Sequence, residues 1–149
     1  NIFASTSNFI EITGVQLELG EQATPFEHRS FGDELLRCQR YYYQHLSAGT
    51  SAEDIIATAS SYDGSSAYGA LNFPVTMRSA PTVDGYTATN AWKYYNANGV
   101  GYFNNFNVVN VHSNSVQLQN AQSIGITAGQ SGNFQAGVNE CYLAFDAEL

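Results

Sequence analysis

Apolar and polar residues alternate between positions 9 and 19, "FIEITGVQLEL", the pattern of a half-buried strand. Ile10 and Ile12 hold one phase, whereas Val15, Leu17 and Leu19 hold the other. The slip falls at Gly14, where a β-bulge is predicted because glycine tolerates its geometry best. After "GEQATP" the chain is expected to turn, since Pro25 pushes Thr24 into an extended conformation. Ser30 then offers a capping oxygen, and Asp33 and Glu34 supply acids for a first helical turn. "GDELLRCQ" is long enough for two turns, with Leu35, Cys38 and Tyr42 along one side. The following "RYYYQHL" fits either a continuation or a strand.

From Ile55 onward the pattern predicts strands and turns. "IIATASSYDGSSAYGALNFPV" has the form of a hairpin about Asp63-Gly64, and "TVDGYTA" contains a second Asp-Gly turn signal. "WKYYNANGVGYFNNFNVVNVH" gives two aromatic strands about Asn98-Gly99. "SVQLQNA", "SIGITAG" and "ECYLAFDAEL" give three more. Turn signals every 8 to 12 residues or so specify an all-β fold, an antiparallel β-sandwich of jelly-roll-like kind with one short helix near the N-terminus.

Composition narrows the function. The 149 residues suffice for one domain with a real core, and 12% charged against 44% hydrophobic residues describe a folded chain. A net charge of −8, with Lys93 the single lysine beside four arginines, argues against nucleic acid as a partner. No apolar run approaches the roughly 20 residues that a membrane-inserted helix needs. The chain opens at Asn1 without a methionine, so a fragment or processed product of a longer protein is expected. Cys38 and Cys141 cannot form a metal site by themselves. Two buried thiols are the expectation, with a disulfide as the alternative.

No motif for catalysis, cofactor or metal stands out. Glu27-His28 beside Arg29 lacks a nucleophile and has the form of a surface ion pair. Glu53 with Asp54, and Glu11 with Glu18, are expected to be solvated acids rather than a glycosidase pair. Cys38 and His45 stand seven residues apart, too far for a dyad on one helix. The aromatics are more informative. Residues 90–107, "NAWKYYNANGVGYFNNFN", set Trp92, Tyr94, Tyr95, Tyr102, Phe103 and Phe106 among six asparagines. Sugars bind through C–H faces on aromatic rings and through amide hydrogen bonds to hydroxyls, and this composition supplies both. Trp92, Tyr94, Tyr95, Tyr102 and Asn104 are the candidate ligand-binding residues. Alternation places Trp92 and Tyr94 on one face and Lys93 and Tyr95 on the other, and one of these faces must be core.

"ITGVQLELGEQATPFEHRSFGDELLRCQRYYYQ" closely resembles a segment near the C-termini of tail fibres and tailspikes of tailed bacteriophages. "FPVTMRSAPTV" (73–83) and the closing "DAEL" resemble further segments of that family. The resemblance implies that residues 1–24 are the last strand and exit of a preceding jelly-roll module, 25–46 a connecting turn and short helix, and 47–149 a C-terminal β-sandwich. Phe26 and Phe31 would anchor the turn by burial, with Glu27, Arg29, Asp33 and Arg37 forming ion pairs around it. It implies a virion appendage, synthesised in the host cytoplasm, that forms a homotrimer below an upstream fibre or spike shaft. Such a tip is non-enzymatic and binds host cell-surface polysaccharide or another receptor. A purely structural trimerisation cap is one alternative. The other is part of a polysaccharide depolymerase whose catalytic domain lies elsewhere.

Overall fold

The computed structural model describes residues 11–22, 24–49 and 51–148, and the chain divides into two compact units, Asn1–Glu34 and Leu35–Leu149. In the first unit the expected strand is absent from residues 11–19, and Phe9 and Ile10 lie outside the described residues. A strand needs a ladder partner, and none of the described residues offers one to this segment. Ile12, Val15, Leu17 and Leu19 are exposed, and Gly14 keeps the left-handed conformation (φ 66°) that glycine adopts without penalty. Side chains order the unit instead: Glu18 accepts hydrogen bonds from the Thr24 backbone and hydroxyl, and Gln16 accepts one from the Glu27 backbone.

Helix α1 (Phe31–Gln39) starts as its sequence dictates. Ser30 Oγ accepts from the Asp33 N–H at 3.1 Å, and the Ser30 carbonyl accepts from the Glu34 N–H at 3.1 Å. The helix buries none of its residues, which corrects the expectations of burial for Cys38 and Phe31. Cys38 is exposed and unbonded, while Cys141 is buried and donates from Sγ to the Ala91 carbonyl. Phe26 and Phe31 are both exposed rather than buried anchors, and the Phe26 ring meets the edge of His28.

The larger unit is an antiparallel, sandwich-like β-fold. Strands β1 (Tyr42–Leu46), β10 (Leu143–Asp146) and β4 (Thr82–Gly85) form a three-stranded sheet in the order β1-β10-β4. The alternatives open for residues 40–46 are thereby resolved in favour of a strand over most of their length. The other sheet comprises β2 (Ile55–Ser61), β3 (Ala67–Asn72), β5 (Trp92–Asn96), β6 (Gly99–Phe103), β7 (Phe106–Val111), β8 (Ser115–Asn120) and β9 (Ser131–Ala136). Its order is β6-β5-β9-β2-β3-β8-β7. Register shifts in β2 and β7 help it to curl.

The hairpin about Asp63-Gly64 forms as expected, because the Asp63 carboxylate accepts from the N–H groups of Ser65 and Ser66, both at 2.7 Å. These donors hold the Asp63 carboxyl below its ordinary pKa. Three other expectations change. Asp84-Gly85 is not a turn but the end of β4, where the glycine permits close approach: a Cβ there would lie 3.3 Å from Leu143 Cδ1. "SIGITAG" forms no strand, and Ile124 and Ile126 instead bond through their N–H groups to the carbonyls of Ser65 and Gly64. The aromatic segment contains three strands rather than two, because the chain turns again at Asn104-Asn105 between β6 and β7.

The core lies on the inner face of the curled sheet, against β10 and β1. Trp92, Tyr94, Phe103 and Phe134 are fully buried, and the half-buried Phe106 ring sits 5.0–5.1 Å from Trp92, Phe103 and Phe134. Edge-to-face packing of this kind adds to what burial alone contributes.

Candidate functional site

Strand β5 divides the sequence-derived candidates between two faces. Trp92 and Tyr94 point inward and are 0% exposed, so neither can stack on a ligand. Their polar ends are engaged in the core as well: Trp92 Nε1–H donates to the Tyr86 carbonyl at 2.8 Å, and Tyr94 Oη donates to the Gln130 carbonyl at 2.7 Å. The physical reason is the pleat, which sends alternate residues of β5 towards the facing three-stranded sheet. Asn104 is exposed in the turn after β6, but its Oδ1 accepts from the Asn90 N–H, supporting the left-handed conformation of Asn90 (φ 59°). It is a turn residue.

Tyr95 and Tyr102 point outward, 52% and 46% exposed. Register places Lys93 opposite Tyr102 on β6 and opposite Gln135 on β9, while Tyr95 lies opposite Val100 and Asn133. Directly opposed residues share a face, with Cβ atoms about 5 Å apart. The outer surface at β6-β5-β9 therefore carries two tyrosine rings, two side-chain amides and one ammonium. Farther along, Tyr68 of β3 meets the exposed Tyr62 ring edge-on at 5.8 Å.

Asn133 and Gln135 escaped the sequence reading because β9 itself did. "SGNFQA" does alternate, with Ser131, Asn133 and Gln135 outward and Phe134 and Ala136 inward. Gly132 and the many polar residues mask this as a loop.

Charge is scarce on this surface. The seven strands of the large sheet contain one charged side chain, Lys93. Its side chain is 11% exposed, and Nζ stands 3.9 Å from a carboxylate oxygen of Glu53, which is itself 84% exposed.

No family model, curated protein or solved structure matches the chain, so the tail-fibre resemblance rests on the sequence motifs that carry it.

Two concavities elsewhere are chemically less suited. One, an open hollow of about 790 Å³, lies within the N-terminal unit and is lined by Gln16, Glu18, Thr24, Glu27, His28 and Arg29 among others. Its charged groups engage one another: Arg29 pairs with both Glu27 and Glu34, which holds the guanidinium above its usual pKa. Hydrogen bonds from Thr24 hold Glu18 below the usual carboxylate value. A cleft of about 210 Å³ reaches Trp92 between Gly85, Phe106 and Leu143, but the indole N–H is already engaged.

His45 and Cys38 do not form a dyad. A carbonyl can only accept, so His45 Nε2–H donates to the Ile56 carbonyl and Nδ1 accepts from Tyr43 Oη, each at 3.0 Å. Burial pushes the imidazole below its ordinary pKa, consistent with this neutral tautomer.

Proposed function

We propose that this chain is the non-enzymatic C-terminal tip domain of a bacteriophage tail fibre or tailspike, and that it binds host surface polysaccharide through the outer face of its large sheet. The observation that carries this reading is the pairing of exposed Tyr95 and Tyr102 with the amides of Asn133 and Gln135 on a nearly uncharged surface. The motifs that resemble tail-fibre segments supply the context. Aromatic rings offer faces to sugar C–H groups, and the amides offer both donors and acceptors to hydroxyls. In Tyr95→Ala/Tyr102→Ala the expected result is at least a tenfold loss of binding to a panel of bacterial capsule and O-chain polysaccharides, with circular dichroism unchanged. Each lost aromatic contact contributes about 1 kcal/mol. Binding equal to the parent's would discard this face.

A second reading, a trimerisation cap, is favoured by apolar side chains on the sheet's edges: Val100 on β6, and Val108 and Val109 on β7, are each more than 40% exposed. The two roles are compatible. Light scattering is expected to give three chains of 16.2 kDa each. A single-chain mass would remove the trimer from the proposal and leave the sugar-binding face to stand alone.

A further inference from the structure

Lys93 is chemically out of place. A sheet that excludes every other charge holds this chain's single lysine near the middle of the tyrosine–amide surface, with the side chain nearly covered. Covering an ammonium costs free energy unless hydrogen bonds replace its lost water. Here they do not: Nζ makes no hydrogen bond among the described residues, and its nearest acid, Glu53, remains 3.9 Å away on an exposed side chain. Among the described residues no fully enclosed side-chain nitrogen or oxygen lacks a partner, so the ammonium still reaches the surface. Nζ thus meets the surface at a spot flanked by Tyr102 on one strand and Gln135 on the other, with Tyr95 and Asn133 one pleat further along.

We propose that this spot is an anion-binding centre and that the glycan it selects is acidic, a hexuronic or ulosonic acid residue. The proposal rests on the sugar-binding reading above and names the class of sugar. The carboxylate seats on Lys93 Nζ, displacing the distant Glu53. The pyranose ring lies against Tyr95 or Tyr102, and its hydroxyls bond to Asn133 and Gln135. A carboxylate suits the site better than a neutral hydroxyl because charge-assisted hydrogen bonds are roughly twice as strong as neutral ones. Glu53 serves as a weak internal competitor that keeps the cation company when no ligand is present.

The test compares the methyl glycosides of glucuronic, galacturonic and N-acetylneuraminic acid with their uncharged carboxamides, by ligand-observed NMR titration of the 149-residue chain. At least one acid is expected to bind about tenfold more tightly than its carboxamide, and Lys93→Gln should remove that difference. Because Lys93 is a nearly covered residue of β5, the exposed Glu53→Gln provides an independent check that does not alter the sheet. Removing the competitor should tighten acid binding by about twofold to fivefold and leave carboxamide binding unchanged. A merely structural Lys93–Glu53 pair predicts the opposite: Glu53→Gln would leave acid binding unchanged or weaken it, and that result overturns the proposal. Equal binding of acids and carboxamides also overturns it, while leaving the sugar-binding face intact. If neither kind binds, and the polysaccharide panel is negative too, the proposed function fails and takes this inference with it.

Discussion

Replacing Phe134 by alanine is expected to destabilise the larger unit by about 3–5 kcal/mol, the range for truncating a fully buried phenylalanine. The ring is 0% exposed and lies 5.1 Å from Phe106, 5.6 Å from Phe103 and 6.0 Å from Tyr94. Its loss removes transfer free energy, edge-to-face contacts and the packing against Gly69, where a side-chain carbon would come within 2.9 Å of the ring. β9 lies between β5 and β2, so the cavity opens where neighbouring strands cannot readily close it. For a domain of this size the melting temperature should fall by about 10–20 °C in a calorimetric scan. A drop of a few degrees would mean that the aromatic cluster is not packed as described. Phe134→Leu, which restores most of the volume, should recover much of the loss.

Gly132→Ala should produce the second large effect, through crowding rather than a cavity. A Cβ at this position would stand 2.3 Å from the Tyr95 carbonyl oxygen and 2.8 Å from Cζ of Tyr94. Both neighbours belong to β5, and one is backbone, so a rotamer change cannot relieve the clash. The strands must separate, at a cost of about 3 kcal/mol, the upper end of the range for overpacking. Gly125→Ala is the control. Its φ of 49° is left-handed but nothing lies within 4 Å of the added carbon, so backbone strain alone should cost about 1 kcal/mol. Denaturant melts in which Gly125→Ala proved the more damaging would contradict the described β5–β9 contact. Gly132→Ala should also weaken sugar binding under the proposed function, since Tyr95 moves with its strand.

These two residues show where the sequence could be read and where it could not. Local chemistry was legible: Ser30 caps the helix, Asp63 ties its turn, and alternation in "WKYYN" separates Trp92 and Tyr94 from Lys93 and Tyr95. Which of those faces is core was not legible, because aromatic residues occupy both. The decision is made by the opposite sheet, through β4 and β10, about 50 residues away from β5 in the latter case. Partner-dependent features failed for the same reason. Residues 11–19 have strand-like alternation but no described ladder partner, whereas β9 has polar, glycine-containing sequence and two partners. Gly85 looked like a turn residue because glycine serves close approach and tight turning equally well. Of the five candidate site residues, Tyr95 and Tyr102 occupy the outward face, Asn104 supports a turn, and Trp92 and Tyr94 belong to the interior.

The scarcity of charge in the large sheet also governs how a ligand reaches this protein. Residues 1–34 hold six of the thirteen acids against Arg29 alone, a net of −5, while the remainder holds seven against Arg37, Arg40, Arg78 and Lys93, a net of −3. None of those acids lies in the seven strands of the large sheet. The seven acids of the larger unit lie instead in loops and turns, in β4 at Asp84, in β10 at Asp146, and at Glu148. A neutral sugar would be captured at a rate nearly independent of ionic strength, whereas the acidic glycan proposed above approaches against the chain's net charge of −8, so its capture rate should rise as salt screens that repulsion.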